Sequence, residues 1–155
     1  MTICHATCVA KSGAGALLRG DSGAGKSDLA LRLMAVGWRL VADDQVVLTP
    51  VGNVLVATPP PRLAGLLEVR GSGIIKVAHA VSAPVMLVVD LVTAGKVERM
   101  PTLDTCMLLD RCRPRIEIEP FEIAATEKVA LALESAKRER TDQPNIATEM
   151  INAQR

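Results

Sequence analysis

The chain has 155 residues, 49% of them hydrophobic and 23% charged, with only two aromatic side chains, Trp38 and Phe121. That length suits one domain able to bury a core without disulfides or a structural metal, and the core must be aliphatic. A module that stacks single-stranded nucleic acid on aromatic rings is excluded, and 18 Lys and Arg against 17 Asp and Glu, a formal charge of +1, give no field for a phosphate backbone.

The first thirteen residues, MTICHATCVAKSG, contain no basic start followed by an apolar stretch of leader length, so the chain is expected to run straight into the domain. Cys4, Cys8, Cys106 and Cys112 are spaced C-x3-C and C-x5-C, unlike a zinc ribbon or finger. A metal on Cys4, His5 and Cys8 is conceivable, but buried free thiols are the better expectation. The most apolar window, residues 81–92, is interrupted by Pro84 and Asp90 and is too short to cross a bilayer. The expectation is a soluble, reduced, cytoplasmic protein that binds neither membrane nor nucleic acid.

Residues 14–19 read as an apolar strand and 20–25 as a glycine-rich turn. A helix follows over 26–36, with Leu29, Ala30, Leu33 and Met34 on one face and Asp28 and Arg32 on the other. Gly37 is a helix stop, and 38–42 is a strand ending on Asp43 and Asp44, so these residues spell strand, helix, strand, the signature of an α/β layer. Residues 45–49 and 53–58 form a hairpin around Pro50-Val51-Gly52. A short helix is expected at 63–67 and an irregular loop at 68–76, where charges and glycines crowd together. Residues 84–92 and 115–118 are further strands and 124–136 a helix. The polar stretch 137–155 is a tail, either frayed or docked on a neighbour, which makes 1–136 the domain proper.

Gly20-Asp21-Ser22-Gly23-Ala24-Gly25-Lys26-Ser27 matches G-x-x-x-x-G-K-[ST] between a predicted strand and a predicted helix, the context that gives the pattern meaning. Glycines let successive backbone N–H groups curl round a phosphate at the helix N-terminus. Lys26 reaches the β and γ phosphates, and the Ser27 hydroxyl can ligate Mg²⁺. Asp43 and Asp44 stand at the strand edge where ligands sit in such sheets. One can hold the metal while the other accepts a proton from an attacking hydroxyl. Asp90, closing an apolar run, is a rival metal-binding acid. His5 comes near the aspartate pair if the N-terminal segment is itself a strand. Glu68 and Arg70 are either a surface ion pair or a metal ligand and phosphate clamp. Arg99 is either solvated or a cation for the transferred phosphoryl group.

These residues together resemble the catalytic C-terminal domain of the HPr kinase/phosphorylase family. His5, the loop Gly20 to Ser27, Val41-Ala-Asp-Asp44 and Leu66-Leu-Glu-Val-Arg-Gly-Ser-Gly-Ile-Ile75 follow that family's order, and Glu98-Arg99 extends the match. The resemblance implies an α/β P-loop kinase domain of the phosphoenolpyruvate-carboxykinase-like type, a mixed sheet with flanking helices. It implies an enzyme that uses ATP and Mg²⁺ to phosphorylate a serine of HPr, the phosphocarrier of the sugar phosphotransferase system, with a reverse phosphorolysis. Carried over by position, Lys26 contacts phosphate, Ser27 and Glu68 hold Mg²⁺, Asp44 of the pair is the base, His5 supports it and Arg99 is catalytic. Asp90 becomes a strand-end residue. Family members assemble as hexamers, so a homo-oligomer is expected.

Three departures qualify the resemblance. The family's N-terminal domain is absent from the residues before the loop, and the segment between Lys76 and Pro84 is shorter than the family's flexible loop. Where the family carries a proline, glycine, arginine and asparagine cluster linked to dephosphorylation, residues 116–123 read IEIEPFEI. The kinase direction is therefore the firmer expectation, and the short form is similar to those of α-proteobacteria. A competing reading is a nucleotide-sensing module without catalysis, or a related kinase with a small-molecule acceptor. With two aromatics in the chain, the site is expected to have almost nothing with which to stack an adenine.

Overall fold

The computed structural model describes residues 1–95 and 104–142. In chain order the strands are β1 (Thr2–His5), β2 (Thr7–Lys11), β3 (Ala14–Arg19), β4 (Arg39–Ala42), β5 (Gln45–Val51), β6 (Val54–Thr58), β7 (Leu66–Val69), β8 (Gly73–Lys76), β9 (Ala83–Leu91), β10 (Asp104–Leu108) and β11 (Arg111–Ile118). The helices are α1 (Lys26–Ala35) and α2 (Ala125–Asp142). Nine strands form one mixed sheet with the path β1-β5-β6-β9-β3-β2-β4, and β11, itself paired with β10, joins β9. β7 and β8 make a separate hairpin. This is the mixed sheet with flanking helices that the resemblance implies.

The central strands are apolar along their whole length because both of their faces are covered. On one face Val9, Ala16, Leu18, Leu87 and Val89 meet Leu29 and Leu33 of α1 and Val129 and Leu133 of α2. On the other, Cys8, Leu17 and Val85 meet Val46, Leu48, Leu55 and Ala57 of the β5–β6 hairpin. The sheet thus curls over its own second core, and no aromatic ring is needed to fill it.

β3, α1 and β4 run in the predicted order, with β3 parallel to β9, but β2 lies between β3 and β4 and pairs antiparallel with both. The predicted βαβ unit is therefore split by a strand from the N-terminal segment. Helix α1 begins at Gly25, whose φ of +104° is a conformation only glycine adopts readily. It ends where Gly37, at φ +101°, donates its N–H to the Met34 carbonyl, so the expected stop is in place.

Two local expectations fail. Residues 63–67 are not a helix: a single turn at Pro61–Leu63 gives way to β7. Residues 68–76 are not an irregular loop but the turn and second strand of the β7–β8 hairpin, closed by Ser72 N–H on the Val69 carbonyl at 2.9 Å. Every residue of β8 is exposed, and in β7 only Leu67 is fully buried, so no alternating apolar pattern marks the pair. The predicted tail also starts too early, because α2 continues through residue 142 rather than stopping at 136.

Candidate active site

The loop between β3 and α1 is braced from within. The Lys26 ammonium donates to the carbonyls of Gly20 at 2.7 Å and Asp21 at 3.0 Å, and Ala24 N–H donates to the Asp21 carbonyl at 2.9 Å. Lys26 is only 6% exposed, yet it lines the cavity into which the loop opens. That cavity, about 460 Å³, takes its wall from Ser22, Gly23 and the run Gly25 to Asp28 on one side and from Asp44, Glu68 and Arg70 on the other.

The two adjacent aspartates have separate environments. Asp43 is buried: its Oδ1 accepts the hydroxyls of Ser27 at 2.7 Å and Thr7 at 2.9 Å, and its Oδ2 accepts the Glu68 backbone N–H at 3.1 Å. One carboxylate thereby ties the loop helix, β2 and β7 together. Asp44 takes the left-handed backbone region at φ +67°, which aims its side chain away from that of its neighbour. Its Oδ1 lies 3.3 Å from His5 Nδ1, and both side chains are half exposed. Strand β1 brings His5 there, because it pairs with β5 in a register that sets His5 opposite Gln45.

The structure therefore gathers His5, Lys26, Ser27, Asp43, Asp44 and Glu68 at one edge of the sheet. Arg99 lies outside the described residues. Asp90 is not among the residues lining the cavity: Arg19 holds it in a two-bond clamp at 2.8 and 2.9 Å, and Arg115 reaches its second oxygen. Burial works to raise the Asp90 pKa, but the hydrogen bonds from the two guanidiniums overcome it and hold the carboxyl below the usual range. Glu68 and Arg70, offered as either an ion pair or ligands, both face the cavity.

Among the described residues no group of three or more His, Cys, Asp or Glu forms a metal cage. Magnesium does not require one, since it keeps several waters and takes one or two carboxylates plus phosphate oxygens. The side-chain oxygens of Ser27 and Glu68, both on the wall of the cavity, fit that chemistry. The four cysteines are free, but only Cys8 is buried; Cys4 and Cys106 are partly so and Cys112 is exposed, which corrects the expectation of buried thiols. Burial pushes the Cys8 thiol up to about 12.

The family model for the HPr Serine kinase C-terminal domain matches residues 1–138. The chain belongs to that family. It is 41% identical over 130 residues to the HPr kinase/phosphorylase of Exiguobacterium sp., covering 76% of this chain and 42% of that protein. It is 49% identical over 73 residues to that of Clostridium acetobutylicum, covering 47% and 24%. The chain thus spans less than half the length of these curated relatives. The solved Hpr(Ser) kinase/phosphatase of Coxiella burnetii superposes with a TM-score of 0.79 at 24% identity, covering 91% of this chain and 99% of that one, a likeness of fold.

Sequence reasoning missed three members of this HPr serine kinase domain's site. Thr7 is fully buried and donates to Asp43, and a lone hydroxyl in an apolar strand two positions after His5 was its only signal. Arg32 appeared as part of a polar helix face, yet it reaches the carbonyls of Pro120 and Glu122. Phe121, discounted in the composition argument, lines the cavity.

Proposed function

We propose that this domain transfers the γ-phosphoryl group of ATP to a serine hydroxyl of an HPr-like phosphocarrier protein. The observation that carries the reading is Asp44 standing on the wall of the same cavity as the P-loop, with His5 Nδ1 3.3 Å from its carboxylate. The loop N–H groups and Lys26 hold the phosphates, and Ser27, with Glu68, would hold Mg²⁺, whose charge offsets that developing on the phosphoryl oxygens. Asp44 accepts the serine proton as the hydroxyl oxygen attacks the γ-phosphorus and the bond to the departing ADP oxygen breaks. His5 orients Asp44, and Asp43 keeps the Ser27 hydroxyl in place. Arg99 is the proposed cation for the transferred group. The domain is taken to act in the cytoplasm as a homo-oligomer, on the family resemblance. Among the described residues no helix is long and apolar enough to cross a membrane.

The test is transfer of labelled γ-phosphate from ATP to a purified HPr-like carrier in the presence of Mg²⁺. Label on a carrier serine supports the reading. Normal ATP binding with no transfer to any such carrier overturns it in favour of a nucleotide-sensing role.

A further inference from the structure

Phe121 is the largest apolar side chain on the cavity wall, and it stands 61% exposed. An unpartnered ring on the rim of a phosphate site leaves apolar surface in water that a flat ligand can cover. The other aromatic of the chain, Trp38, is 3% exposed and belongs to the core, so Phe121 is the one ring available to a ligand.

Its position is built rather than incidental. A side-chain carbon placed on Gly25 would come within 3.0 Å of Phe121 Cζ and 3.2 Å of Pro120 Cγ, so the ring's tip lies against the last glycine of the phosphate loop. The backbone just before and just after Phe121 is tied to the loop helix by one residue. Arg32 Nη1 donates to the Pro120 carbonyl and Nη2 to the Glu122 carbonyl at 3.3 Å. The loop, its helix and the ring are thereby held as one piece.

Resting on the reading that the loop binds a nucleotide, we propose that Phe121 is the platform on which the base packs, with Arg32 as the residue that positions it. Base and ribose are attached to the α-phosphate and must leave the loop along one wall of the cavity. Phe121 supplies the aromatic wall there. Stacking on a ring tolerates any base, since every base has a π face.

The experiment compares binding of ATP with binding of inorganic tripolyphosphate, which has the phosphates but no base, using the full chain with Mg²⁺. Phe121→Ala is expected to weaken ATP about tenfold, equivalent to about 1.4 kcal/mol, and to leave tripolyphosphate within about twofold of wild type. Phe121→Tyr restores ATP binding. In the Phe121→Trp variant ATP quenches the new indole's emission. Adding Arg32→Ala abolishes that quench while tripolyphosphate affinity holds, a result that loss of fold would not give. Unchanged ATP affinity in Phe121→Ala, or equal weakening of both ligands, overturns the proposal. Wild-type protein that binds neither ligand overturns the nucleotide reading itself, and the platform with it.

Discussion

The hydroxyl of Ser27 donates to the carboxylate of Asp43 at 2.7 Å, across 16 positions of sequence. This bond separates two acids that sequence spacing left equivalent. Asp43 has its oxygens committed to Ser27, Thr7 and the Glu68 N–H, while Asp44 keeps an exposed carboxylate with His5 as its neighbour. A proton acceptor must be reachable by an incoming hydroxyl, and only Asp44 is.

Asp44→Asn is therefore expected to lower phosphoryl transfer by about 10²–10⁴-fold, the usual worth of a general base. Nucleotide affinity should stay near wild type. The variant keeps its fold, since Asn tolerates the left-handed backbone, and a transfer assay beside an ATP titration checks both halves. A loss of ATP binding to match the loss of rate would assign Asp44 to the nucleotide instead.

Asp43→Ala leaves three donors without their acceptor, two of them hydroxyls and one the Glu68 backbone. A cost of about 2–3 kcal/mol follows from hydrogen bonds to a buried charge, which is roughly a 5–10 °C fall in Tm for a domain of this size. Thermal unfolding of the variant reads it directly. A Tm within a degree or two of wild type would show that these contacts contribute nothing to the fold.

Acid stability should depend on Asp90. Its carboxyl is held below the ordinary aspartate value by Arg19 and Arg115 against the opposing effect of burial. A depressed folded-state pKa stabilises the protein above the unfolded value, and that contribution is lost as pH falls through the folded one. Denaturant unfolding between pH 6 and pH 3 should thus show a steep loss that Asp90→Asn flattens, at a cost of about 1–2 kcal/mol near neutrality. An unchanged acid profile in the variant would assign that loss to other carboxylates.

The alkaline side belongs in part to Cys8. With its thiol pushed from 9.0 up to about 12 by burial, the folded state favours the protonated form. That contribution is whole below pH 9 and shrinks as pH rises from there toward 12, because the unfolded thiol ionises first. Cys8 should also resist alkylation in native protein at pH 8 while exposed Cys112 reacts. Peptide mapping after iodoacetamide treatment distinguishes the two.

ATP and GTP are expected to bind within about tenfold of each other, a gap of about 1.4 kcal/mol. Phosphate contacts are shared by both nucleotides, and a phenyl platform distinguishes purines little. A preference of a hundredfold in competition binding would reveal hydrogen bonds to the base edge.

Much of this architecture was legible because the decisive signals were local. The loop from Gly20 to Ser27 and the apolar stripe of α1 are written in consecutive residues, and the Asp43-Asp44 pair follows them at the strand end. What escaped reading depends on distant parts of the chain meeting. Arg19 and Arg115 converge on Asp90 only because β3 and β11 flank β9. The β7–β8 hairpin buries so little that its sequence carries no alternation. Arg32 and Phe121 each look like ordinary surface residues until α1 and the segment before α2 are seen side by side. Composition argued rightly that aromatic rings are scarce; it could not say that one of the two stands at the cavity.

The left-handed backbone at Asp44 has a consequence for anyone engineering this domain. A non-glycine residue there carries a conformational penalty of order 1 kcal/mol that Gly would avoid altogether and Asn would lessen. Selection for heat resistance alone would therefore drift toward Gly or Asn at position 44, enriching variants that melt later but lack the carboxylate proposed as the base. A stability screen on this scaffold needs an activity gate at that one position.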